Sequence, residues 1–306
     1  MGWDPAALPD QSGKIMVVTG GNRGIGYFAG EQLAGAGARV ILACRNPENA
    51  EAATRAIRAR VPGADVATMI LDTSDLGSVH SAAEQLLALD RLDVLIENAG
   101  TVHPPRRRTL TADGNELVLA TNVLGHFALA ALTMPALRRT PGSRVVTLGS
   151  MATRLINPHL DDLQLERGYT AWRAYAQSKV AMQVFGFELD RRLTAAGADV
   201  SALVAHPGYA IGGRSPGIRG VNEPSRAKRF RDNLQAAFAQ GKDDGAWPIV
   251  RAAIDPDAAG SSYWGPRFLN FGEPTQQTPT RVSLDPDAGS RLFEAAERYT
   301  RLTFPV

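Results

Sequence analysis

Short runs rich in Val, Ile, Leu and Ala recur along the first two thirds of the chain. Each is separated from the next by a stretch long enough for a helix, and no other feature limits the fold as much. The runs are 14–19 (KIMVVT), 39–43 (RVILA), 66–71 (VATMIL), 93–97 (DVLIE), 144–148 (RVVTL) and 200–205 (VSALVA). They are nearly continuous in apolar character, which is expected of strands covered on both faces. The stretches 24–36, 47–60, 75–89, 114–138 and 173–196 read as crossover helices. Strand and helix alternating in this way predict an α/β protein with a doubly wound parallel sheet and right-handed connections.

No internal repeat and no composition shift marks a boundary, so the 306 residues are read as a single domain. Residues 1–12 form an N-terminal extension. Residues 209–246 are rich in Gly, Pro, Arg and Lys, carry one helical pattern at 225–240, and are expected to form a substrate lid. Strand character returns at 261–264, and residues 265–306 form a C-terminal tail whose last helix spans 286–301.

The formal net charge of +2 gives no electrostatic case for nucleic acid. Arg106, Arg107 and Arg108 follow two prolines and read as a solvated loop. The one cysteine, Cys44, excludes an intramolecular disulfide and a zinc site of several thiolates, and fits a reducing cytoplasm. His103, His126, His159 and His206 have no metal-ligand spacing and read as structural, with no metal expected. Residues 1–11 lack the basic start and apolar core of a signal peptide. No run of 18 apolar residues occurs, so a soluble cytoplasmic protein without a membrane span is expected.

Thr19-Gly20-Gly21-Asn22-Arg23-Gly24-Ile25-Gly26 follows the first strand and opens the first helix. Glycines there let bare backbone approach a pyrophosphate, while the helix N-terminus offers free N–H groups. Gly20, Asn22, Arg23, Gly24, Ile25 and Gly26 are therefore candidates for cofactor binding. The second strand leads into Cys44 and Arg45, where an NAD-preferring site usually has Asp or Glu. A guanidinium suits a 2′-phosphate with no carboxylate to repel it. The expected cofactor is NADP(H) rather than NAD(H), with Arg23 able to reach the same group.

Tyr175 and Lys179 are four apart in a helical pattern and share a face. A lysine cation about 4–5 Å from a phenolate, in an effective dielectric of about 20, favours the anion by roughly 3–4 kcal/mol. That corresponds to about two to three pKa units, enough to bring a tyrosine from about 10 into working range.

With these motifs the chain resembles the short-chain dehydrogenase/reductase family, up to about Gly208. The glycine turn matches TGxxxGxG, and Asp72, followed by Thr73, matches the acidic position beside the adenine. Asn98-Ala99-Gly100 matches the NAG motif, and Asn122 the helix asparagine that holds a relay water. Ser150 matches the serine that orients the substrate oxygen, Tyr175 and Lys179 match YxxxK, and Pro207-Gly208 matches the turn near the nicotinamide. The resemblance implies a Rossmann fold, with hydride passing between nicotinamide and substrate carbon. Tyr175 would exchange the proton and Lys179 would also hold the ribose.

Three departures stand out. Gly149 replaces a second serine. Ser150 and Tyr175 lie 25 positions apart, which makes 154–172 a substrate-side insertion. The threonine that often follows the PG turn is missing from Pro207-Gly208-Tyr209-Ala210-Ile211-Gly212. The second strand, the Asn122–Phe127 stretch and the long tail resemble the retinol dehydrogenase and protochlorophyllide reductase branch, whose substrates are often bulky and apolar. Tyr209, Tyr263 and Trp264 are read equally as pocket or core. The leading expectation is reduction of an aldehyde, ketone or activated double bond on a medium-sized, largely apolar small molecule. Alcohol oxidation with NAD(P)+ uses the same residues, and a non-catalytic cofactor sensor is the reading from another class. Pairing through the 114–138 and 173–196 helices would give a homodimer or homotetramer, unless the insertion blocks it.

Overall fold

Each of the six apolar runs becomes a strand: β1 (Ile15–Thr19), β2 (Arg39–Cys44), β3 (Val66–Ile70), β4 (Val94–Glu97), β5 (Ser143–Leu148) and β6 (Val200–Ala205). In the computed structural model, which describes residues 3–306, they join β7 (Tyr263–Pro266) and β8 (Pro274–Gln276) in one sheet. Its order is β3-β2-β1-β4-β5-β6-β7-β8, parallel throughout except for the antiparallel β7–β8 pair. Met1 and Gly2 of the expected N-terminal extension lie outside the described residues.

The helices are α1 (Gly24–Gly35), α2 (Pro47–Arg60), α3 (Leu76–Leu87), α4 (Leu117–Leu119), α5 (Gly125–Arg139), α6 (Ala171–Ala195), α7 (Arg226–Asn233), α8 (Lys242–Gly245), α9 (Trp247–Ile254) and α10 (Pro286–Thr300). Their starts follow local chemistry. Asn46 accepts from Asn49 N–H with Pro47 beside it, Asp75 accepts from Gly77 and Ser78, and Thr170 accepts from Arg173. Side chains on alternate strand positions then fill two cores. Val17, Leu95, Val145 and Ala202 pack with residues of α3, α5 and α6, while Met16, Val18, Ile96 and Leu203 pack with those of α1, α2 and α9.

Several expectations need correction. The helix expected over 114–138 starts at Leu117, and residues Ala120–Leu124 form a π turn between α4 and α5. The composite Leu117–Arg139 is long and apolar enough to cross a membrane by length and composition, yet 83% of its most apolar stretch is buried in the fold. Counting uninterrupted apolar residues missed it because Thr121, Asn122 and His126 break the run. The helix expected over 225–240 ends at Asn233, and the chain continues as turns. α9 has no counterpart among the expected helices; it opens with Trp247-Pro248, and proline is well tolerated in a first helical turn. β8 is too short to give a pattern.

The tail changes the surface that pairing was expected to use. α10 packs on α6, with the Phe185 and Phe293 rings 5.6 Å apart and the Arg192 guanidinium 4.1 Å from the Phe293 ring. All residues of α6 from 176 to 190 are buried within the chain.

Candidate active site

Strand order reverses at β1 and β4, which are neighbours in the sheet but lead outward in opposite directions. Such a switch point opens a crevice at the carboxyl ends of the strands. The glycine turn leaves β1 there, and Asn98-Ala99-Gly100 leaves β4 beside it. Asn98 Nδ2 donates to Thr19 O at 2.7 Å, and Ala99 N–H donates to Thr19 Oγ1 at 2.9 Å. Gly20 has φ +66, and a Cβ there would lie 2.9 Å from Ala99 Cα. A side chain at Gly26 would overlap the Asn98 amide. No side chain caps α1, so the N–H groups of its first turn, at Gly24, Ile25 and Gly26, stay open. An uncapped helix behind a turn that excludes side chains fits a dinucleotide pyrophosphate.

Around this cradle the charges differ from expectation. Arg45 is largely exposed, but its guanidinium lies 3.6 Å from Asp72, whose other oxygen accepts from Ser74 N–H and Oγ. A carboxylate therefore does stand beside the expected 2′-phosphate position, because β2 and β3 bring Arg45 and Asp72 together at neighbouring strand ends. Cys44 accepts from the backbone N–H groups of Gly21 and Asn22, and burial pushes its thiol up to about 12. Thr73 is buried, its carbonyl where a side chain at Gly125 would sit. Arg23 is exposed at the start of α1.

Sequence reasoning missed Lys242. α8 carries its ammonium to the glycine turn, 3.9 Å from the Cβ position of Gly24 and 3.3 Å from that of Gly212. Gly212 is where the PG turn lacks its threonine, so Lys242 fills space into which a side chain there would project. Lys242 is half-buried; burial lowers its pKa, with the charges of Lys228 and Arg23 acting the same way and Asp232 opposing them. Its only sequence signal was its place in the cation-rich segment after the PG turn.

Ser150, Tyr175, Lys179 and Asn122 meet across the sheet from that cradle. Ser150 follows β5 and caps the turn Met151–Arg154, accepting from Ala152 N–H at 3.2 Å. The Tyr175 hydroxyl donates to Ser150 Oγ at 3.3 Å. Burial pushes the Tyr175 pKa up, and only the Ser150 hydrogen bond acts in the other direction. Lys179 Nζ donates to Leu148 O at 3.1 Å, and burial pulls its pKa down to about 8. The expected lowering of Tyr175 by Lys179 gives way to the opposite direction: burial dominates at the phenol, and the Lys179 ammonium is directed to Leu148 O.

Asn122 lies in the π turn, an irregularity frequent at functional sites. Its side chain donates to Ser178 Oγ at 2.9 Å and accepts from Thr101 N–H at 2.8 Å, tying α6 to the chain after β4. His126 Nδ1 lies 3.1 Å from Asn122 O, and its Nε2 lies 3.0 Å from Thr19 Oγ1. Burial holds His126 near 4, so the ring is neutral at pH 7. A carbonyl only accepts, so the ring proton sits on Nδ1 and Nε2 accepts from Thr19. His206, also near 4 through burial, accepts from Gly208 N–H at 3.3 Å. Gly208 has φ +64, and Gln240 fixes the turn by donating to Pro207 O at 2.9 Å. Among the described residues, no group of three or more His, Cys, Asp or Glu side chains is placed to hold a metal.

The remaining departures have physical answers. A Cβ at Gly149 would lie 2.6 Å from Gln183 Nε2, because Gln183 fills that space while bonding Thr153, Tyr263 and Ser283. The insertion is pinned to α6 by Gln177, which accepts from His159 N–H and donates to Asp162 O, both at 3.0 Å. Tyr263 and Trp264 are buried core residues, whereas Tyr209 is exposed and donates to Gln235. Trp172, unremarked in the sequence, is exposed with its ring 6.3 Å from that of Tyr175. Glu97 ends β4 fully buried, both carboxyl oxygens without partners, and burial pushes its pKa well up.

The sequence profile described as short chain dehydrogenase matches residues 14–211. Polyprenol dehydrogenase from Mus musculus is 35% identical over 303 residues, covering 97% of this chain and 86% of that protein. Retinol dehydrogenase 13 from Homo sapiens is 40% identical over 297 residues, with 96% and 86% covered. Retinol dehydrogenase 11 from Homo sapiens is 41% identical, but the match covers only 64% of this chain and 61% of that protein. Among solved structures, an uncharacterized protein from Mycobacterium Paratuberculosis has TM-score 0.81, 37% identity and full coverage of both chains. The RhlG/NADP active-site complex of Pseudomonas aeruginosa has TM-score 0.61 and 27% identity, covering 82% of this chain and 93% of that one.

Proposed function

The chain belongs to the short-chain dehydrogenase family and is an NAD(P)-dependent oxidoreductase, and from that premise we propose that it uses NADP(H) to reduce the carbonyl of a medium-sized, largely apolar molecule. The observation that carries this reading is the Tyr175 hydroxyl donating to Ser150 Oγ, with burial keeping the phenol protonated. A protonated phenol is a donor, as carbonyl reduction requires. Bound nicotinamide supplies the hydride. Ser150 orients the substrate oxygen, and Tyr175 gives it the proton. Lys179, anchored on Leu148 O, holds the ribose, and Asn122 keeps the surrounding loops in register for a proton relay.

On the cofactor side, the cradle consists of Gly20, Asn22, Arg23, Gly24, Ile25 and Gly26, with Asn98, Ala99 and Gly100 beneath it. Asp72 and Thr73 border the adenine and Pro207-Gly208 the nicotinamide. Lys242 adds a cation toward the pyrophosphate. Arg45 and Arg23 support NADP(H), and so does the similar fold of the RhlG/NADP active-site complex. Asp72 weakens the preference by sharing the Arg45 charge. The names of the retinol and polyprenol relatives favour a second direction, oxidation of an apolar alcohol, which runs through the same groups.

The inner side of residues 209–246, tied to the PG turn through Gln240, forms the substrate lid, and 265–306 the tail that covers α6. The enzyme works in the cytoplasm, and a homodimer or homotetramer would have to use a face other than α6.

Titration with NADPH and with NADH, followed by energy transfer from tryptophan, tests the cofactor assignment. The expected result is tighter NADPH binding, weakened about tenfold by Arg45→Ala while NADH is unaffected, as for loss of one exposed charge-assisted contact of roughly 1.5 kcal/mol. Equal loss for both cofactors refutes the assignment of Arg45 to a 2′-phosphate.

A further inference from the structure

Segment 213–240 carries six Lys and Arg residues against two carboxylates, a net +4 in a chain whose overall charge is +2. Its inner side is tied down by polar bonds. Asp232 accepts from Gly213 N–H at 2.7 Å and pairs with Lys228, and Asn222 Nδ2 donates to Gly212 O and Pro216 O. Its outer side has no such use. Phe230 is 67% exposed, Leu234 71% and Phe238 65%. They recur at four-residue spacing, Phe230 in the last turn of α7 and Leu234 and Phe238 in the turns that follow it. Arg226 lies four residues before Phe230, and Arg219, Arg226 and Arg231 are exposed without an ion pair among the described residues.

Further aromatic surface adjoins this face. The Tyr209 hydroxyl donates to Gln235 at 2.5 Å, and Tyr209 N–H donates to Asn270 O in the loop that exposes Phe268 at 62%. Tyr209 directly follows the PG turn, so the apolar stripe begins at the rim of the candidate active site.

We propose that this outer face docks on an anionic lipid bilayer, with Phe230, Leu234 and Phe238 entering the interface and Arg219, Arg226 and Arg231 lying against lipid phosphates. Aromatic and leucine side chains interspersed with arginines are the side-chain composition of surfaces that lie in the membrane interface. A protein partner or second copy would be expected to bring carboxylates or a matching apolar groove; a lipid headgroup layer satisfies both halves of the stripe at once. The proposal rests on the apolar-substrate reading above, since such a substrate dissolves in bilayers and the docked rim would receive it from there.

The test is co-sedimentation of the full chain with vesicles of phosphatidylcholine alone and with phosphatidylglycerol added, alongside Phe230→Ser/Leu234→Ser/Phe238→Ser and Arg226→Glu/Arg231→Glu variants. Each variant is first checked for unchanged NADPH binding and for oxidoreduction of a short water-soluble substrate. Expected are binding to the anionic vesicles, a loss of at least tenfold in the apolar variant, and at least a tenfold loss in the charge variant, about fivefold or more per basic residue near the surface. Equal binding to both vesicle types, or wild-type binding by the variants, overturns the proposal. So does a change of oligomeric state in the apolar variant, which would make the face a contact between copies. Weakened turnover of the soluble substrate without vesicles also overturns it, because the stripe would then be closing on substrate. Failure of all vesicle binding while the short substrate is still turned over removes the docking surface and leaves the enzymatic reading standing.

Discussion

Lys242→Met separates a cofactor contact from a structural role because the two predict opposite signs. In the free protein, burial together with Lys228 and Arg23 makes the Lys242 charge unfavourable, lowering its pKa. Removing that charge is therefore expected to leave the free protein as stable or slightly more stable. With a dinucleotide present the sign reverses. A phosphate oxygen about 4 Å from an ammonium gains about 1 kcal/mol in bulk water and about 4 kcal/mol at an effective dielectric of 20. Lys242 is half-buried, so a value near 2 kcal/mol is appropriate, or about 30-fold in Kd. The loss should be similar for NADPH and NADH, because both carry the pyrophosphate, and it should shrink as ionic strength rises. Thermal unfolding of the free protein and tryptophan-based titration of both cofactors measure the two signs separately. A change in Kd below threefold, or a loss confined to NADPH, refutes the placement of Lys242 at the pyrophosphate.

Tyr175→Phe is expected to lower kcat/KM by about 10²- to 10⁴-fold, the range for removing a positioned general acid, with cofactor Kd changed less than threefold; retention of more than a tenth of the activity would contradict the assignment, and an intact cellular phenotype would favour a sensor. Glu97→Gln tests the buried carboxyl through pH. Its folded pKa is raised, so the folded state keeps a proton that the unfolded chain has lost, and stability falls as pH rises above about 4.3 at up to about 1.4 kcal/mol per unit. The glutamine variant should match the parent near pH 4.5 and exceed it increasingly by pH 7.5 in urea unfolding. A difference independent of pH would mean that Glu97 has partners or ionises freely.

The sheet was legible because a strand buried on both faces has to be apolar along its whole length, and six runs met that condition. What escaped the sequence were elements whose signal is weak or contradictory. α9 begins with Trp247-Pro248, which reads as a break although proline suits a first helical turn. The Leu117–Arg139 helix hid its apolar character behind Asn122 and His126, polar residues whose hydrogen bonds are made internally, to Ser178, Thr101 and Thr19.

The site divides in the same way. Gly20, Tyr175 and Lys179 were visible in local patterns, a glycine turn after a strand and a four-residue helical spacing, whereas Asn98 and Ser150 were visible only through the family resemblance. Lys242 and Gln183 were not, since each acts only through a void left by a distant glycine: Gly212 for the lysine and Gly149 for the glutamine. A missing side chain reads in sequence as a lost function, whereas in three dimensions it is space that another residue enters. The Tyr175–Lys179 spacing misled in the opposite sense. Four residues on one helix put both side chains on one face, but the charge of Lys179 depends on burial and on Leu148, which lies 31 positions away. Spacing therefore identified the pair, while the electrostatics that set its working state came from packing that no local pattern encodes. The same distinction bears on Arg45. The strand end that leads into it holds no acid, yet the parallel register of β2 and β3 delivers Asp72 to within 3.6 Å, so its discrimination between cofactors has to be measured in the presence of that carboxylate.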